Sequence, residues 1–109
     1  MYSIDMASGK GKQGICPVEK TLGIIGKKWA VLVIRDLLGG RKRFGELLSS
    51  LSGISPRTLS ARLAELERSG IVKRKAFSEM PPHVEYRLTK RGEDLHSIID
   101  QMAKWGAKQ

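Results

Sequence analysis

The stretch ISPRTLSARLAELERSG, from Ile54 to Gly70, dictates its own secondary structure from residue types alone. Ser55 supplies an N-cap oxygen, and Pro56 suits the first helical position, where a missing N–H costs no hydrogen bond. Gly70 supplies the stop. Leu59, Leu63 and Leu66 recur at i, i+4 and i+7 and form one apolar stripe, with Arg57, Ala61 and Arg68 nearly opposite it. The result is a helix with a buried leucine edge and a small, cationic outer face. Two readings of that face are open from the segment by itself: a surface that enters a nucleic-acid groove, or the solvated side of an ordinary amphipathic helix.

The neighbouring residues narrow the choice. Phe44, Leu47, Leu48 and Leu51 repeat at i, i+3, i+4 and i+7, which predicts another helix. Only Ser52-Gly53-Ile54 then separates it from the Ser55 cap, so the two helices must cross steeply through a tight turn. Upstream, Val18, Leu22 and Ile25 mark a first helix that opens after Pro17, carries Glu19 in its first turn and ends at Gly26. Trp29 to Leu38 is apolar on nearly every side, which marks a helix at the centre of the domain, stopped by Gly39-Gly40.

Beyond Gly70 the period drops to two. Val72, Arg74 and Ala76 alternate with Lys73, Lys75 and Phe77, and Val84, Tyr86 and Leu88 alternate with Glu85 and Arg87, so two antiparallel strands are expected. Ser78-Glu79-Met80-Pro81-Pro82-His83 joins them as a stiff projecting loop, since paired prolines donate nothing to a ladder. Thr89 caps a last helix running toward Lys108. Along it Leu95, Ile98, Ile99, Met102 and Trp105 form one apolar seam.

A chain of 109 residues with 40% hydrophobic content supports one core. Residues 1–14, with three glycines, two lysines and no apolar period, read as a flexible tail, and 15–109 as a single domain. The 20 Lys and Arg against 11 Asp and Glu give a net charge of +9, which favours an anionic polymer as partner. The lone cysteine excludes an intrachain disulfide, and no apolar run has membrane length, so the chain reads as cytoplasmic with no membrane partner. Two separated histidines and one cysteine make neither a zinc set nor a nucleophile with its base, and there is no glycine-rich phosphate loop. No enzyme, metal or cofactor is expected, and no residue pattern identifies a small-molecule effector.

The element order makes the fold class mainly α with a small antiparallel β-hairpin: a winged helix-turn-helix with a three-helix core, a wing and a C-terminal helix. The strings ICPVEKTLGIIGKKW, RFGELLSSLSGISPRTLSARLAELERSGIV and MPPHVEYRLTKRGEDL, spanning Cys16 to about Trp105, resemble the signature blocks of the HxlR family of transcriptional regulators, relatives of the MarR group. The resemblance implies a small prokaryotic regulator that binds double-stranded DNA as a homodimer. Two rivals share the charge or the fold: a basic RNA-binding module, which would offer exposed aromatics for stacking, and a winged helix devoted to protein interaction.

In a helix-turn-helix the first turns of the second helix reach base edges while neighbouring elements hold phosphates. That ranks Ser55, Pro56, Arg57, Thr58, Ser60, Ala61 and Arg62 as the recognition set. Arg57 has the geometry for bidentate pairing with guanine, with a phosphate contact as the alternative. Arg62 lies nearer the buried side, where an ion pair with Glu65 or Glu67 competes. Arg41, Lys42 and Arg43 would flank the groove. Lys73 and Lys75 share one strand face, and the resemblance adds the tip at Pro81, Pro82 and His83, though a lone histidine at a loop tip is often merely exposed. The terminal seam of Leu95, Ile98, Ile99, Met102 and Trp105 exceeds what so small a domain covers. It is expected to form a dimer interface with Val18, Leu22 and Ile25, the alternative being packing on the central helix. Cys16, at a helix N-terminus four residues before Lys20, is a candidate redox or electrophile sensor, as the resemblance also suggests, or else a small capping residue.

Overall fold

The computed structural model describes residues 15–109, so the tail expected over 1–14 lies outside the described residues. Among the described residues there are six helices and three strands: α1 (Pro17–Ile25), α2 (Ala30–Leu37), β1 (Lys42–Arg43), α3 (Phe44–Ser50), α4 (Pro56–Arg68), β2 (Val72–Phe77), β3 (His83–Leu88), α5 (Lys90–Glu93) and α6 (His96–Ala107). The core is built where the leucine stripe of α4 (Leu59, Leu63, Leu66) meets Val33, Ile34 and Leu37 of α2, Leu47 of α3, and the sheet residues Val72, Tyr86 and Leu88. Leu63 is 1% exposed, and a leucine so enclosed is worth about 2–5 kcal/mol against alanine.

Both ends of α4 close as their residue types require. Ser55 is extended (φ −87°, ψ 154°) and its Oγ accepts the Thr58 N–H at 3.0 Å. At the other end Gly70 takes φ +75°, its N–H donates to the Glu67 carbonyl at 3.0 Å, and the Ile71 N–H reaches back to the Leu66 carbonyl at 2.9 Å. This is a Schellman closure, with the side chains of Ile71 and Leu66 both buried, 2% and 1% exposed. The turn from α3 into α4 is equally local: Gly53 has φ +93° and the Ile54 N–H donates to the Leu51 carbonyl at 3.0 Å.

Three features differ from the sequence expectation. The sheet is three-stranded in the order β1-β3-β2, because Lys42 and Arg43 pair antiparallel with Tyr86 and Glu85 of β3. His83 is not part of the loop tip: it opens β3, paired with Phe77 across the hairpin, so the connecting loop is 78–82. The last helix is not continuous. Thr89 caps as expected, its Oγ1 accepting the Gly92 N–H at 3.0 Å, but the helix breaks after Glu93 and resumes at His96. At the break the Leu95 N–H donates to the Gly92 carbonyl at 3.1 Å, an i→i+3 bond that turns the chain before α6 leaves. Gly92 itself lies close to the segment after α4: a Cβ there would stand 2.3 Å from the Ile71 carbonyl oxygen.

Candidate nucleic-acid interface

The outer face of α4 carries Pro56, Arg57, Ser60, Ala61 and Arg68, all exposed, above the buried leucines. Its first turn is less available than the sequence implies. The Ser55 hydroxyl donates to Thr58 Oγ1 at 3.0 Å while accepting the Thr58 N–H, so both side chains are engaged in the cap. Arg57 is the exposed cation of these opening turns. Arg62 has taken the competing option: its NH1 donates to Glu65 Oε1 at 2.6 Å, and its side chain is only 20% exposed. The other oxygen of Glu65 accepts from Lys27 Nζ at 3.0 Å, from the turn between α1 and α2. Hydrogen bonds from Lys27 and then Arg62 hold the Glu65 carboxyl below the usual glutamate range, against a smaller opposing effect of burial.

The pairing register divides the wing by parity. Val72 and Arg74 align with Leu88 and Tyr86, and Lys73 and Lys75 align with Arg87 and Glu85 on the other face, but Val72 is the only buried residue of β2 and Arg74 is exposed. Lys73 and Lys75 are exposed, but so are Arg74 and Ala76, so exposure does not separate the two faces of β2. Glu85 organises the face shared by Lys73 and Lys75. Its Oε1 lies 3.6 Å from Arg41 Nε and its Oε2 3.1 Å from His83 Nε2. The His83 ring stacks on Phe77, with centroids 4.7 Å apart at 13°, and Lys75 Nζ sits 5.1 Å from the Phe77 ring centre. Arg41 and His83, both expected to face phosphates, are thus tied to a carboxylate. Arg43 is exposed and Lys42 half-buried, and Pro81 and Pro82 are exposed at the tip. The Arg62–Glu65 pair was legible from its i, i+3 spacing. The Lys27–Glu65 and Arg41–Glu85 pairs join distant parts of the chain and carry no local signal.

With this arrangement established, the comparisons with known proteins are decisive. The sequence profile of the HxlR-like helix-turn-helix family matches residues 24–109. The chain belongs to that family. YdeP of Bacillus subtilis, an HTH-type transcriptional regulator, is 44% identical over 93 residues, covering 85% of this chain and 73% of YdeP. A MarR-family transcriptional regulator from Porphyromonas gingivalis W83 is similar in structure, with TM-score 0.84 and 38% identity over 91% of this chain and 95% of that one. The redox regulator HypR in its oxidised form gives TM-score 0.82 and 42% identity over 86% and 97%. The winged helix-turn-helix class and the role of DNA-binding transcriptional regulator follow.

In this HxlR-like regulator the apolar surface expected for dimerisation is divided. Val18 and Leu22 on α1, and Ile98, Met102 and Trp105 on α6, are exposed, Trp105 by 67%. Ile25, grouped with Val18 and Leu22 by spacing, is instead 9% exposed and belongs to the core, because the end of α1 turns onto α2. Leu95 and Ile99 likewise pack against the core, leaving only part of the seam outward. Cys16 is 8% exposed at the N-cap of α1, and its backbone N–H donates to Glu19 Oε1 at 3.3 Å. No helix among the described residues is long and apolar enough to cross a membrane.

Proposed function

We propose that this HxlR-like regulator is a homodimer that reads a pseudo-palindromic duplex operator in the cytoplasm, each subunit laying α4 in the major groove. The observation that carries this reading is the exposed face of α4, with Arg57, Ser60 and Ala61 presented from a helix fixed at both ends and seated on the core. Arg57 reads a base edge, Pro56 and the capping pair Ser55 and Thr58 bring the backbone N–H groups close to phosphate, and Arg62 supports the flank. Lys42, Arg43, Lys73 and Lys75 hold phosphates beside the groove. The tip at Pro81 and Pro82 follows the duplex, with Arg41 and His83 shaping the wing through Glu85.

The exposed Val18, Leu22, Ile98, Met102 and Trp105 supply the subunit junction, since isolated monomers do not ordinarily leave so many large apolar side chains in water. Two-fold symmetry sets the two α4 helices about 34 Å apart, one duplex turn. Cys16 makes DNA binding responsive to oxidants or electrophiles; its position at the mouth of an α1 that belongs to the junction supports this, as does the likeness to the redox regulator HypR.

The test is selection of bound duplexes from a random library, followed by titration of the selected site against salt and against an RNA of the same sequence. If the two subunits neutralise about 6 to 10 phosphates, affinity falls by about three to five decades between 50 and 200 mM salt. Affinity independent of salt, or equal for RNA, would exclude the groove reading.

A further inference from the structure

Glu65 is the one carboxylate on α4 for which the described residues show both oxygens engaged by cations. Oε1 holds Arg62 at 2.6 Å and Oε2 holds Lys27 at 3.0 Å. Arg62 comes from the previous turn of the same helix and Lys27 from the turn between α1 and α2. An isolated surface ion pair contributes little, but here one carboxylate bridges two elements and keeps an arginine side chain four-fifths covered. By contrast Arg57, one and a half turns earlier, extends into solvent.

This geometry matters because of the net charge of +9. Every cation free to meet a phosphate strengthens binding to all sequences, whereas specificity is the ratio of operator to random-duplex affinity. We propose that Glu65 is a specificity-determining positioning residue: it holds Arg62 and Lys27 against the flank of α4, so that neither adds sequence-independent phosphate contacts and base reading is left to Arg57. The proposal rests on the duplex-reading function above. Its chemistry is competitive. The phosphates and the Glu65 carboxylate are alternative acceptors for the same donors, and the carboxylate is already in place at hydrogen-bond distance.

The full-length chain and its Glu65→Gln, Lys27→Gln and Glu65→Gln/Arg62→Gln variants are titrated with the selected operator and a random duplex of equal length, from 50 to 200 mM salt. Thermal melts confirm that each is folded. For Glu65→Gln on random duplex, the slope of log K against log salt steepens by about 1 to 2, an additional loss of about 4- to 16-fold across that range. Random-duplex affinity at 50 mM salt rises more than operator affinity, so the ratio falls. Adding Arg62→Gln reverses about half of the gain, and Lys27→Gln alone leaves the slope unchanged. An unaltered slope and ratio in Glu65→Gln would overturn the proposal while leaving the duplex-reading function intact. So would a flatter slope in Lys27→Gln, which would make Lys27 a phosphate contact already. A specific loss of operator affinity in Glu65→Gln, without a steeper slope, would mean that the carboxylate aims Arg62 at a base, and would overturn it too. Absence of salt-dependent duplex binding by the unaltered chain would remove both.

Discussion

The Thr89 hydroxyl donates to the Gly70 carbonyl at 2.6 Å, tying the glycine that stops α4 to the N-cap of α5. The same oxygen accepts the Gly92 N–H, the Thr89 N–H meets the Ile71 carbonyl at 2.9 Å, and the Arg91 guanidinium caps the Ser69 carbonyl. The carbonyls of Ser69, Gly70 and Ile71, just past the C-terminus of α4, are therefore met by Thr89 and Arg91, so α4 and the C-terminal helices share one junction.

That junction makes a stability prediction. Thr89→Ala removes the cap of α5 and a partner of Gly70 and costs about 1–2 kcal/mol. Gly92→Ala forces a methyl group to within 2.3 Å of a backbone oxygen and costs about 1–3 kcal/mol. Urea denaturation followed by circular dichroism measures both. A Gly92→Ala midpoint equal to that of the unaltered chain would refute the close approach.

Arg57→Ala should weaken binding to the selected operator by about 1–3 kcal/mol and narrow the gap to random duplex. Equal losses on both duplexes, measured by anisotropy at one salt concentration, would reassign Arg57 to phosphate.

Leu22→Asp and Met102→Asp place charges on the exposed faces of α1 and α6 without entering the core. Each should convert the proposed dimer into a folded monomer in light scattering and reduce operator affinity by at least tenfold. Ile25→Asp, by contrast, should unfold the chain, because that side chain is in the core.

A thiol-specific oxidant should lower operator affinity of the unaltered chain and leave Cys16→Ser unaffected. The same loss in both proteins would clear Cys16 of any sensing role.

The Glu65 carboxyl sits below the ordinary glutamate range because Lys27 and Arg62 donate to it. A depressed folded-state value contributes stability that is present above the unfolded value and lost as pH falls through the folded one. Relative to Glu65→Gln, the unaltered chain should hold a constant advantage at neutral pH that declines as pH falls through and below the ordinary glutamate range, less markedly in high salt.

The sequence made α4 legible because its determinants are local: a cap, a proline, a leucine period and a glycine, all within the segment they govern. Lys42 and Arg43 lie beyond that kind of reading. A two-residue strand has no period, and β1 exists only through its pairing with Tyr86 and Glu85. The helical spacing from Leu95 to Trp105 carries no sign of the break before α6, and the close approach of Gly92 to the Ile71 carbonyl beside it is a tertiary contact with no local signal. Spacing also placed Ile25 with Val18 and Leu22, but the end of α1 turns onto α2 and takes Ile25 with it. The outward residues of α4 followed from periodicity, whereas the restraint of Arg41 by Glu85 depends on β1 lying beside β3; His83 meets Glu85 from two residues away on the same strand face.

Strand β1 has a mechanical consequence. It lies in the connection between α2 and α3, yet it is bonded to β3 midway along the hairpin. The wing is thereby riveted to the chain that leads into the helix-turn-helix and cannot pivot about its own base without breaking that seam. In the proposed dimer each subunit meets the duplex as a single stiff caliper, so a mismatch in operator length is absorbed by bending the DNA or by rotation between the subunits.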